Sequence, residues 1–139
     1  MSSLLEVKHL QVEFPTRRGV LKALDDISFS IGRGEVLGVV GESGAGKSLT
    51  GASIIGLLDP PGRISGGEIY LDDKRIDNLD AKEMRKVRGR EIGAIFQDPL
   101  TSLNPLYTVG YQIVETIQTH LNLSSKQAKE RAIELLEST

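Results

Sequence analysis

The chain contains no cysteine. That excludes disulfides and thiolate metal sites, and it fits a reducing cytosol. A strong charge bias is also missing: a formal net charge of −2 over 139 residues marks no general nucleic-acid surface. No apolar stretch approaches the roughly 20 residues that a membrane span needs. Met1 to Leu10 mixes Glu6, Lys8 and His9 among its apolar residues, so no signal peptide is expected there. Internal repeats and low-complexity tracts are absent. The length suits one domain with a real core and is short for two.

What is present begins with Gly41-Glu42-Ser43-Gly44-Ala45-Gly46-Lys47-Ser48, which fits the phosphate-binding pattern G-x-x-x-x-G-K-[ST]. Val36 to Val40 leads in as an apolar run expected to be a buried parallel strand, and Leu49 to Leu58 leads out as a helix. The glycines let backbone N–H groups turn inward around a phosphate, which a Cβ would obstruct. Lys47 supplies a flexible point charge for the β/γ-phosphates, and the Ser48 hydroxyl is placed to ligate Mg²⁺. The helix that starts here points its positive end at the same anion. An ordinary Gly-rich strand-to-helix turn would explain the glycines, but not Lys47 beside Ser48.

Elsewhere Leu5 and Val7, then Leu10, Val12 and Phe14, alternate in two phases, which predicts one strand broken near His9. Pro15 to Gly19 reads as a loop. Ile27, Phe29 and Ile31 form a second strand, ending in a hairpin-like turn at Gly32-Arg33-Gly34. Gly51 and Gly56 are expected to permit close helix packing, with Asp59-Pro60-Pro61-Gly62 stopping that helix. Glu68 to Asp72 reads as a short strand. Asp80 to Glu83 has the form of a capping box for a helix to about Arg88. Ile92 to Phe96 resembles a buried strand before a turn-rich loop, Asp98 to Tyr107. Val109, Ile113, Ile117 and Leu121 mark an amphipathic helix. A last helix starts at Ser124 to Gln127, with Ala128, Ala132, Leu135 and Leu136 on its face.

Several families share the phosphate loop. The N-K-x-D base-reading motif of a GTPase is absent. An Arg-rich lid, as in a small nucleotide kinase, has only Lys82 to Arg90 as a candidate, and that run reads better as a solvated helix face. Phe14 is suited to stack on a base, although taken alone it reads better as plain core. Gln97 ends a strand, where a neutral amide can reach the γ-phosphate, the metal and an attacking water without adding repulsive charge.

Taken with the loop, the order and spacing of Phe14 and Gln97 resemble the ATP-binding cassette family of transporter ATPases, over essentially Leu4 to Thr139. Val39 to Ser48 looks like the loop of the branch that powers oligopeptide, dipeptide and nickel import. Phe96-Gln97-Asp98-Pro99-Leu100-Thr101-Ser102-Leu103-Asn104-Pro105 resembles that branch more specifically. The resemblance implies an α/β fold: a P-loop NTPase (RecA-like) core, a small antiparallel β subdomain and the start of a helical subdomain, with the C-terminal part of the fold missing. It divides the chain into β-subdomain strands (1–35), phosphate-loop strand and helix (36–60), a β/α segment (61–97), and the Gln97 loop with the first helices (98–139).

The same resemblance implies ATP and Mg²⁺ as cofactors. Phe14, Gly41, Glu42, Ser43, Gly44, Ala45, Gly46, Lys47, Ser48 and Leu49 would bind nucleotide, Ser48 and Gln97 the metal, with Lys47 and Gln97 catalytic. Leu49 stands where most cassette ATPases have Thr, a mild change because the backbone N–H still points at the α-phosphate. Implied partners are a second ATPase subunit (the same or a related chain), membrane permease subunits and, indirectly, an external peptide-binding protein; nucleic acid is not one. The implied location is the cytoplasmic face of the membrane.

A family signature of the L-S-G-G-Q type, an acidic strand ending in Asp-Glu and a switch His are not found. Ile64 to Glu68 imitates the signature but runs into a strand. Ile69 to Asp73 imitates the acidic strand but reads as a hairpin of the antiparallel sheet. His9 and His120 sit where no switch His would. The expected function is the ATP-binding part of a peptide importer; an ATP-holding fragment without turnover and a non-transport cassette ATPase stay open.

Overall fold

The computed structural model describes residues 3–98 and 101–139. They form two compact units, Met1–Met84 and Arg85–Thr139.

The first unit is built on an antiparallel sheet of β1 (Leu5–Thr16), β2 (Gly19–Ile31), β3 (Arg63–Leu71) and β4 (Lys74–Arg75), in the order β2-β1-β3-β4. β1 is central, so its inward side chains Val7, Leu10 and Val12 are fully buried, with Leu24, Ile69, Leu71 and Ile76 completing the apolar set. The expected break in β1 is a bulge. Pairing shifts between Val7 and Leu10 against β2 and between Lys8 and Gln11 against β3, and His9 takes a positive φ of 49°. The extra residue restores the inward phase that two alternating patterns would otherwise lose.

The expected loop from Pro15 to Gly19 is tighter than the sequence suggests. Pro15 and Thr16 still pair with Val20 and Gly19, leaving only Arg17 and Arg18 in the turn. Asp72 and Asp73, both at positive φ, make the β3–β4 hairpin turn. This is the turn chemistry favoured by the twist of paired strands. Asp72 is ion-paired with Arg33. The stretch Ile64 to Glu68 lies wholly within β3, so neither look-alike motif forms the element it imitates.

α1 (Lys47–Ile54) is shorter than its sequence signal. Gly56, at φ 66°, ends it: the Gly56 N–H donates to Ser53 O and the Leu57 N–H to Ala52 O. This pair of bonds satisfies the last carbonyls before Asp59 and Pro60 are reached. Gly51 was expected to allow close packing, but a Cβ there would meet nothing within 4 Å. α2 (Ala81–Val87) starts as expected, with the Glu83 N–H donating to Asp80 Oδ1 at 2.8 Å.

In the second unit, α3 (Val109–His120) and α4 (Ser125–Glu137) pack through Ile117, Ala128 and Ala132, with Ile113, Val114 and Leu123 around them. Thr108 caps α3 and Ser124 forms a full capping box with Gln127. Leu135 and Leu136, assigned by spacing to the packed face of α4, are exposed. None of the described helices is long and apolar enough to cross a membrane.

Two expectations are overturned. Val36 to Val40 and Ile92 to Phe96 have strand-like sequences but join no ladder, apart from a single parallel bridge between Arg88 and Ile92. Val36 is 95 % exposed, and Val40 and Ile95 are likewise open. A parallel strand is defined by neighbours on its edges and cover on both faces. Among the described residues nothing supplies them.

Candidate nucleotide site

The phosphate-loop pattern folds as a compact turn into α1. Gly44 and Gly46 hold φ values of 84° and 91°, conformations that other L-residues rarely adopt. Gly46 is the helix N-cap and has no side-chain cap bond, so the first-turn amides are left for an external acceptor. The loop is braced from within: the Ala45 N–H donates to Glu42 O at 3.1 Å, and the Thr50 amide and hydroxyl both donate to Gly46 O, at 2.9 and 2.8 Å.

Lys47 folds back over the loop. Its Nζ donates to Gly41 O at 2.6 Å and to Glu42 O at 2.7 Å. An ammonium has three donors, so two fix the mouth of the loop and one remains for an anion. Ser48 is exposed, and its hydroxyl has no protein partner among the described residues. The arrangement can hold a phosphate chain between uncapped amides and a cation. This defines a phosphate-binding-loop protein of the α/β class.

No group of three His, Cys, Asp or Glu side chains among the described residues could hold a metal ion by itself. A Mg²⁺ here would therefore be held as this ion usually is beside nucleotides, by one or two protein oxygens with phosphates and water. The open Ser48 hydroxyl fits that use.

Gly41 to Leu49 are thus brought together by one turn and one helix start. Leu24 of β2 anchors this turn: its Cδ2 lies 2.5 Å from where a Gly46 Cβ would be, and Ala23 O lies 3.9 Å away. Phe14 pairs with Leu21 on β2, and its half-buried ring lies against Gly62. Leu24 carries no motif, and Gly62 reads in the sequence only as part of the turn after the helix, so neither contact is signalled there. Gln97 sits in an exposed bend of the second unit. Beyond it Pro99 and Leu100 lie outside the described residues. His9 is paired with Asp26 at 2.5 Å in the bulge, and His120 ends α3 against Gly89, where a Cβ would meet its Nε2 at 2.5 Å.

Comparison with known proteins agrees with this class. The family described as ABC transporter matches residues 24–139. The chain is 46 % identical over 134 residues to the dipeptide transport ATP-binding protein DppD of Haemophilus influenzae, covering 96 % of this chain and 41 % of the relative. It is 49 % identical over 138 residues to the oligopeptide transport ATP-binding protein OppD of Bacillus subtilis, covering 99 % and 38 %. Among solved structures, a dimeric ATP-binding cassette, MJ0796, bound to ADP and Pi in a post-hydrolysis state, superposes with a TM-score of 0.82 at 27 % identity, over 96 % of this chain and 56 % of that one. The chain belongs to the ABC transporter family. It spans about two fifths of the length of the curated relatives it matches.

Proposed function

We propose that this chain is the nucleotide-gripping part of an ATP-binding subunit that drives peptide import through membrane permease subunits. The observation that carries the reading is the Lys47 clamp over an uncapped helix start, which leaves one ammonium donor and the Ser48 hydroxyl facing outward. The names of the relatives, all ATP-binding proteins of peptide transport, supply the cargo class.

In this reading the amides of Gly44 to Leu49 wrap the phosphates of ATP, Lys47 faces the β/γ-phosphates, and Ser48 would ligate Mg²⁺. Bound Mg²⁺ would neutralise charge on the β- and γ-phosphates. Phe14 serves as the base platform. Its partner Leu21 stands two residues from Ala23, beside Gly46, and that is about 7 Å along a strand, a gap a nucleoside can bridge. Two subunits would sandwich the nucleotide, as the dimeric state of the solved cassette suggests by analogy.

The Gln97 loop would couple the site to the permease. In support, the segment beyond it exposes Leu103, Leu106 and a stacked Tyr107–Tyr111 pair with ring centroids 5.0 Å apart. The Gln112 side chain pins this segment to α3, accepting from the Asn104 N–H and donating to Asn104 O.

On its own the chain binds without turnover. The two stretches that imitate hydrolytic motifs are a β3 interior and a hairpin turn, so neither supplies the acidic strand end that would polarise water. Titration with a fluorescent ATP analogue, with and without Mg²⁺, tests the reading. Saturable binding strengthened by Mg²⁺ is expected, and no binding at millimolar nucleotide would refute it.

A further inference from the structure

We propose that Gly62 is a positioning residue for the nucleobase, acting through the Phe14 ring. The inference rests on the reading of Phe14 as base platform. A Cβ on Gly62 would lie 2.6 Å from Phe14 Cε1 and 2.7 Å from Cζ, with Asp59 O at 2.9 Å. Side-chain carbons do not approach so closely, so a methyl group there displaces something. The backbone of Gly62 is not in the left-handed region. No positive φ calls for glycine here, so the requirement comes from close approach, most tightly that of the ring and then that of Asp59 O.

The ring cannot simply retreat with its strand. Glu13 and Arg63, the neighbours of Phe14 and Gly62, are paired across β1 and β3. The Arg63 guanidinium also donates twice to Glu13 Oε1, at 2.8 and 2.5 Å. On the other side, Pro60 and Pro61 restrict the chain entering Gly62, whose N–H donates to Asp59 O at 2.8 Å. Two backbones locked in register hold the ring edge over a bare Cα. An added methyl group must therefore turn the ring about its own side-chain torsions, out of the pose in which it meets a base.

The test is a double-mutant cycle in this chain between Gly62→Ala and Phe14→Ala, read by the affinity for ATP, GTP and inorganic tripolyphosphate. Gly62→Ala is expected to weaken ATP and GTP about three- to tenfold and to leave tripolyphosphate unchanged. In the Phe14→Ala background the methyl group is clear of the ring and should cost distinctly less affinity than it does in the wild type. The Asp59 O contact is common to both backgrounds and cancels. Wild-type ATP affinity in Gly62→Ala, an equal loss of tripolyphosphate, or additive losses in the cycle would each overturn the proposal while leaving Phe14 as platform. Unchanged ATP affinity in Phe14→Ala would instead remove the platform reading, and this inference with it. Should Gly62→Ala lose the circular-dichroism spectrum of the unmutated chain, Phe14→Leu/Gly62→Ala decides: recovery of that spectrum supports the contact, and continued loss overturns it.

Discussion

Leu24 occupies the space that a side chain on Gly46 would need, its Cδ2 lying 2.5 Å from the ideal Cβ position of that glycine. The loop's last glycine is therefore held twice, by a φ of 91° and by a core residue of β2. Gly46→Ala should lose at least tenfold in nucleotide affinity, about 1.4 kcal/mol, because an L-residue resists this conformation by about 1–2 kcal/mol. Adding Leu24→Ala relieves the clash but not the torsion, so only part of the loss should return. Full recovery in the double mutant, measured by nucleotide titration, would mean that torsion is unimportant here.

Lys47→Ala removes the charge on the phosphates and also the two bonds that hold Gly41 O and Glu42 O together. Most of the ATP affinity should disappear. Lys47→Arg keeps the charge, but its planar fork is a poorer match to a pair of carbonyls on one turn, so it should recover little. An unchanged titration in the alanine variant would show that nucleotide binds elsewhere.

Phe14→Ala should weaken ATP and GTP alike, by about 1–2 kcal/mol, because stacking on an aromatic face tolerates any purine. Competition titrations with both nucleotides decide this. A loss confined to ATP would mean that hydrogen bonds elsewhere read the base.

Local signals in the sequence carried the antiparallel sheet, the loop and the helix starts. The β1 break near His9 followed from the change of alternation phase, and the caps at Asp80 and Ser124 from polar residues in fixed positions. Missed features depend on partners far along the chain. Nothing near Val36 or Ile95 in sequence says whether a neighbouring strand is present, so their apolar runs read as buried when both are open. Gly62 and Leu24 matter only because Phe14 and Gly46 arrive beside them, and neither arrival is encoded locally. The end of α1 was legible in kind but not in place. Gly56 stops the helix first, before the more conspicuous Asp-Pro-Pro-Gly.

Sustained hydrolysis by the 139-residue chain is not expected, even with Mg²⁺ and Gln97 intact. Asp72 and Asp73 belong to a hairpin turn, and Asp72 is engaged with Arg33, so this pair does not serve as the base of an acidic strand. Steady phosphate release from a clean preparation, abolished by Lys47→Ala, would sink this claim.

The last prediction concerns association. Val36, Val39 and Val40 are all more than half exposed, beside an apolar groove of about 550 Å³ lined by Ile27, Phe29, Ile31, Leu37 and Ile54. Residues 36–40 make no backbone hydrogen bond among the described residues, which leaves their N–H and C=O groups open to strand addition from another chain. Apolar surface left in water forgoes roughly 25 cal/mol per Å², so covering it by self-association is favourable. The chain should therefore elute later on dilution in size-exclusion chromatography and melt over a broad range. Val36→Lys with Val40→Lys should reduce the association, since both positions are open and charge discourages edge pairing. A sharp cooperative melt from a monomer that keeps its elution volume at every concentration would show that the 36–40 segment needs no cover.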